Sequence, residues 1–109
     1  VLAGDDSLTL PMMAVGGKGV ITVTANIVPA EMAALVTAFS DGKLAEARRI
    51  HFKLSPLFAA LFLETNPIPV KEALGMMGKI DPELRLPLCP MAQDTREKLV
   101  RVLKDTGLI

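Results

Sequence analysis

Cysteine and histidine are nearly missing from this chain of 109 residues, where Cys89 and His51 are the only ones. A single cysteine closes no internal disulfide, and one Cys with one His cannot assemble a metal cluster of those ligands. A disulfide scaffold and a zinc module are both excluded, and a reducing cytoplasm is the expected location. An excess of one charge is missing as well. The 12 basic and 12 acidic residues cancel and neither sign forms a long block, so the electrostatic footprint of a nucleic-acid or anionic-membrane binder is absent. Long hydrophobic runs are missing too. Pro11, Lys18, Pro29 and Glu31 interrupt the first third, and Pro56 and Glu64 bound the richest later segment. No stretch therefore approaches the ~18 residues of a membrane span.

Apolar residues, by contrast, are abundant. Half of the chain is of the AVILMFWYC types and 8 further residues are glycine, more than the roughly 45–50% usual for a soluble domain. A short chain has proportionally more surface to cover with polar groups. It also buries a smaller share of its own area, about 60% at 60 residues against nearer 70% at 150. The excess is expected to be buried against something else, as in a piece of a larger protein. A start at Val1 rather than Met, with no signal-type segment following it, carries the same expectation.

Two short apolar runs open the chain. Val1-Leu2-Ala3 ends at Gly4-Asp5-Asp6, and Gly19 to Thr24 is β-branched and bounded by glycine and Asn26; both are predicted as strands. Their lack of polar alternation suits parallel strands covered on both faces. Between them Ser7 is the expected cap of a short helix through Val15, with Gly16-Gly17 as its left-handed stop. The segment reads as a βαβ unit. Two strands do not complete a parallel sheet, however, and nothing later in the sequence supplies a third.

From Pro29 the period is helical. Pro29 suits a first turn, Met32, Leu35, Val36 and Phe39 keep the 3.6 repeat, and Asp41-Gly42 ends it. A longer helix follows from Lys43 to Leu63, with Leu44, Ala47, Ile50, Leu54, Leu57, Phe58, Leu61 and Phe62 on one face and Pro56 predicted to kink or divide it. Asn66-Pro67-Ile68-Pro69 is expected to be a rigid non-helical corner, Val70 to Met77 a short helix, and Leu84 to Pro90 an extended segment. Asp94-Thr95-Arg96-Glu97 has capping-box spacing and should open a last helix on Leu99, Val102 and Leu103.

Few residues invite chemistry. Gly4-Asp5-Asp6 lies at the carboxyl end of a predicted strand, where α/β architectures place ligands; the alternative is a pair of turn and helix-cap acids. Adjacent carboxylates project differently, so at most one would face a pocket. Gly16 to Gly19 precedes a strand and matches neither phosphate-loop pattern, so it reads as a tight turn. Asn26 could present its amide to a ligand or cap a helix entry. His51 sits among Ala47, Leu54 and Phe58 as a helix residue. Met76, Met77 and Met91 suit core or interface filling, and Cys89 has no histidine near it in sequence. A Schiff-base lysine needs desolvation or a cationic neighbour; of the lysines only Lys71 has a rigid setting, where an anchoring contact is the plainer role.

Taken together, Val1-Leu2-Ala3-Gly4-Asp5-Asp6, Gly17-Lys18-Gly19-Val20-Ile21-Thr22-Val23-Thr24-Ala25-Asn26, Asn66-Pro67-Ile68-Pro69-Val70-Lys71 and Leu84-Arg85-Leu86-Pro87-Leu88 resemble, in this order and spacing, the carboxyl-terminal part of the dihydrodipicolinate synthase family. The likeness covers essentially the whole chain. It implies an α/β fold: the carboxyl-terminal part of a (β/α)8 TIM barrel, with strands seven and eight within residues 1–42, followed by a helical carboxyl-terminal extension over residues 43–109. It also implies a lyase that condenses pyruvate with aspartate semialdehyde in lysine biosynthesis, through a Schiff-base lysine and a tyrosine relay. The sequence contains no tyrosine, and that lysine would precede Val1. The site residues implied for this chain are Ile21, whose backbone carbonyl contacts pyruvate, and Gly4 and Asp5, which line the pocket with Asp6 as neighbour. No cofactor and no metal are expected. The expected partners are the amino-terminal part of the barrel and further copies in a homotetramer. A sibling aldolase acting on N-acetylneuraminate or a keto-deoxy sugar, and a non-enzymatic helical interaction module, are the alternatives.

Overall fold

Backbone hydrogen bonds in the computed structural model, which describes residues Val1–Ile109, run mainly along five α-helices. These are α1 (Thr9–Ala14), α2 (Pro29–Ser40), α3 (Leu44–Ala60), α4 (Ile68–Met76) and α5 (Gln93–Asp105), with short 3-10 turns at Asp6–Leu8 and Thr24–Asn26. The two strands expected at Val1–Ala3 and Gly19–Thr24 do not form as a ladder. Their place is taken by one isolated parallel bridge between Ala3 and Val20. Around it Ala3 N donates to Gly19 O at 2.8 Å, Ile21 N to Ala3 O at 2.9 Å and Lys18 N to Val1 O at 2.9 Å. The neighbours and their direction are those of a βαβ unit, but a parallel pair without flanking strands has little to extend it.

By packing, the chain falls into two units, Val1–Phe58 and Ala59–Ile109. The expected boundary between residues 42 and 43 is of a different kind, between a barrel repeat and an extension.

In the first unit, Pro29 occupies the opening turn of α2, where its missing N–H has no intrahelical partner to lose. Met32, Leu35 and Ala38 of α2 pack with Ala47, Ile50, Leu54 and Phe58 of α3 in one buried cluster, and Leu10, Val20, Ala25, Val28 and Phe39 lie partly buried against it. Each fully buried Leu there contributes about 1.5–3 kcal/mol relative to exposure. Pro56 lies inside α3 without dividing it. Leu44 departs from the expected face and is exposed; it begins the helix, before the turns that contact α2. Gly16, at φ 105°, ends α1 in the left-handed region that a Cβ disfavours.

In the second unit, Ile68, Pro69, Val70 and Ala73 of α4 and Leu99 and Leu103 of α5 are buried, and the two helices are in contact. The corner at Asn66–Pro69 is shorter than expected. Ile68 and Pro69 already belong to α4, because proline is tolerated in a first turn. The last helix starts at Gln93, its cap position is Ala92 rather than Asp94, and no side chain of its own caps it. Glu64 fills that role from a distant loop: it accepts from Ala92 N at 3.0 Å and from the Thr95 hydroxyl. Phe62, expected on the buried face, is 48% exposed. It follows the end of α3, in a turn closed by Phe62 N donating to Ala59 O at 3.2 Å, so the 3.6 repeat no longer directs it inward.

Candidate functional site at the paired segment ends

The Ala3–Val20 bridge sets two chain ends side by side. Ala3 is followed at once by Gly4 and Asp5, and the Ala3 carbonyl accepts from Ile21 N, so the expected site residues Gly4 and Ile21 lie on one edge. Gly4 is exposed, and a Cβ built on it would meet nothing within 4 Å, leaving its backbone open to approach. Ile21 has its side chain 71% exposed.

Asp5 and Asp6 diverge, as neighbouring carboxylates should. Asp5 is exposed and turns back on its own segment: its Oδ1 accepts from Ser7 N at 2.8 Å and from Ser7 Oγ at 2.6 Å. It is thus the N-cap of the Asp6–Leu8 turn, the position expected for Ser7. Asp6 points inward and is 1% exposed. Its Oδ2 accepts from Thr24 N at 2.9 Å and from Thr24 Oγ1 at 2.7 Å, while Oδ1 is buried with no partner within the chain. Thr24 is itself fully buried.

The segment after Ile21 is held from three sides. Thr22 Oγ1 accepts from Ala25 N at 3.2 Å, Asn26 Nδ2 donates to Val23 O at 2.9 Å, and Asp6 holds Thr24. Asn26 Nδ2 is therefore engaged within its own turn. Sequence reading did not find the Asp6–Thr24 pair. An acid just after one predicted strand and a threonine at the end of the next, in adjacent parallel runs, was the available signal.

The other candidates fall away from this edge. Lys71 anchors a loop, with Nζ donating to Glu83 O. His51 stacks edge-on to Phe52 with ring centroids 5.3 Å apart and borders an apolar groove of ≈ 530 Å³ whose walls include Leu10, Pro11, Phe39 and Phe52. Cys89 is exposed and free. No group of three or more His, Cys, Asp or Glu side chains stands close enough to hold a metal ion, and no helix is long and apolar enough to cross a membrane. Away from the edge, Arg49 hydrogen-bonds Glu46 and holds its carboxyl below the ordinary glutamate range.

Comparison with known proteins gives a consistent result. Residues 1–106 match the sequence profile of the Dihydrodipicolinate synthetase family. The 4-hydroxy-tetrahydrodipicolinate synthase of Thermodesulfovibrio yellowstonii is 58% identical over 109 residues, which is 100% of this chain and 38% of that protein. The crystal structure of dihydrodipicolinate synthase from Thermotoga maritima superposes with a TM-score of 0.96 at 49% identity, covering 100% of this chain and 37% of that one. A structure described as the first monomeric dihydrodipicolinate synthase variant gives a TM-score of 0.95, also at 49% identity, over 100% of this chain and 36% of its own. The chain thus spans little more than a third of the length of the relatives it matches.

Proposed function

Because the chain belongs to the dihydrodipicolinate synthetase family, by its match over residues 1–106, we propose that it is the carboxyl-terminal part of a lyase condensing pyruvate with aspartate semialdehyde to 4-hydroxy-tetrahydrodipicolinate in lysine biosynthesis. Identity of 58% to a synthase, sustained over all 109 residues, carries the proposal. Within it, residues 1–42 supply strands seven and eight of a (β/α)8 barrel and residues 43–109 the helical extension. The parallel bridge between Ala3 and Val20 supports that assignment, since consecutive barrel strands are parallel neighbours.

The reaction begins when a lysine amine upstream of Val1 attacks the pyruvate ketone and water leaves. The resulting protonated imine accepts the electron pair released when the methyl group loses a proton, and the enamine carbon attacks the aldehyde. The amino group of aspartate semialdehyde then adds to the regenerated imine carbon and expels the lysine, freeing the cyclic product. This chain's part is to shape the pocket. The Ile21 carbonyl faces pyruvate as a fixed dipole, Gly4 lets substrate approach the backbone, and Asp5 lines the rim. Barrel sites lie at the carboxyl ends of strands, and all three residues directly follow the bridged pair Ala3 and Val20, which supports this reading. The same proposal places the enzyme in the cytoplasm as a homotetramer.

Steady-state assay of the family-length protein with pyruvate and aspartate semialdehyde tests this. Turnover is expected, and cleavage of N-acetylneuraminate in its place would refute it. The 109-residue chain alone, incubated with pyruvate and borohydride, should keep its mass, while the family-length protein gains a reduced pyruvyl adduct.

A further inference from the structure

Asp6 is buried at 1% exposure and has no part in the chemistry above, yet it makes the only side-chain hydrogen bonds between the two segments that carry Gly4 and Ile21. Its Oδ2 takes both hydrogens that Thr24 offers, the amide at 2.9 Å and the hydroxyl at 2.7 Å, across 18 residues of sequence. A charged acceptor with two donors makes a strong, directional contact. A buried carboxylate is expensive, and here only Oδ2 is held while Oδ1 has no partner within the chain, which makes Asp a poor choice where an apolar residue would serve. On the first segment the backbone of Asp6 is fixed as well: Thr9 Oγ1 donates to its carbonyl O at 2.8 Å, and Thr9 is fully buried. On the second segment Thr24 stands three residues beyond Ile21, and Ile21 N is tied to Ala3 O at 2.9 Å. The stretch from Ile21 to Thr24 is therefore clamped at both ends to the stretch from Ala3 to Asp6. The first clamp is a backbone bond, and the second is a carboxylate.

We propose that Asp6 is a positioning residue: through Thr24 it sets the orientation of the Ile21 carbonyl at the pyruvate end of the site, without touching substrate itself. This rests on the function proposed above. The predicted signature is selective. Loosening the clamp should impair the steps that involve pyruvate, because a displacement of about 1 Å at a reacting group costs on the order of 100-fold. Use of the second substrate should be less affected.

The test is made in the family-length protein. Asp6→Ala is expected to lower kcat/KM for pyruvate by roughly 10–100-fold and to slow borohydride-trapped imine formation, with KM for aspartate semialdehyde changed less than twofold. Thr24→Val, which keeps the amide and loses the hydroxyl, should give a smaller loss of the same kind. Thr24→Ser should recover most of it. Hydrogen exchange at the Thr24 amide reads the clamp directly and should accelerate in Asp6→Ala. The proposal is overturned if Asp6→Ala remains folded with kcat/KM for pyruvate within twofold of the parent, or if both substrates suffer alike. It is overturned too if Asp6→Ala and Thr24→Val both fail to fold, which would assign the pair to folding alone. A parent protein without synthase activity would instead defeat the functional proposal, leaving the exchange result to judge the clamp.

Discussion

The stretch before Pro29 and the helices after it solve the backbone problem in opposite ways. In α2, α3, α4 and α5 the amides beyond the first turn find their partners four residues back along the same segment, and packing has only to cover an apolar face. In residues 1–28 the bonds that join the two opening segments reach far along the chain: Gly19 for Ala3, Ala3 for Ile21, Asp6 for Thr24. A single parallel bridge with no further strand beside it leaves its outer edges unpaired, and Val1, Leu2 and Ile21 remain exposed. The helical part carries its order within itself, whereas the opening part expects neighbours. That contrast is the physical sign of a chain that spans 38% of the length of its relative.

Removing a core side chain should break the self-contained side of this contrast most severely. Phe58, 3% exposed in the cluster of α2 and α3, should cost about 3–5 kcal/mol on replacement by Ala. Urea unfolding of the family-length protein reads this directly, and a change within error would mean that the cluster is not what holds these helices. A more moderate effect is expected from overfilling. A Cβ on Gly75 of α4 would lie 2.9 Å from Cγ of Pro82, a ring with little freedom to yield, so Gly75→Ala should destabilise by about 1–3 kcal/mol. An unchanged melting temperature would show that the loop moves aside freely.

The smallest effect should come from an exposed pair on α3. Arg49 Nη2 lies 2.7 Å from Glu46 Oε1, and this contact lowers the Glu46 pKa and raises that of Arg49. A carboxyl with a depressed folded pKa contributes stability above its ordinary value, and that contribution is lost as pH falls through the lowered one. Glu46→Gln should therefore flatten only the acid limb of a stability-against-pH curve and leave neutral pH nearly unchanged, since exposed pairs are screened. A marked loss at neutral pH would overturn this.

Much of the helical part was legible in the residues themselves. Pro29 and Gly42 bracket α2, and Met32 and Leu35 lie buried on the face their spacing assigns. Periodicity names a face but not where a helix stops. Phe62 was therefore placed inward although α3 ends at Ala60, and Pro69 was placed outside a helix that it helps to start. Polar partners were harder still. Nothing in the spacing of Asp94 and Glu97 announces that Glu64 will cap α5 from 28 residues before Ala92. At the candidate edge the expected residues are Gly4, Asp5 and Ile21; the structure adds that Asp5 caps its own turn and that Asp6 is the long-range link.

The residues alone determined what depends on near neighbours: helix periods and the proline and glycine punctuation, along with a balance of 12 basic and 12 acidic residues. Family resemblance added the site positions. Only the tertiary structure decided which of two adjacent carboxylates turns inward, which loop caps which helix, and how Thr24 is fastened beside Ile21. Those outcomes depend on the direction of a side chain across 18 residues of intervening chain. A hydrogen bond is won or lost over a few tenths of an ångström and a modest angle, which spacing along a sequence does not encode.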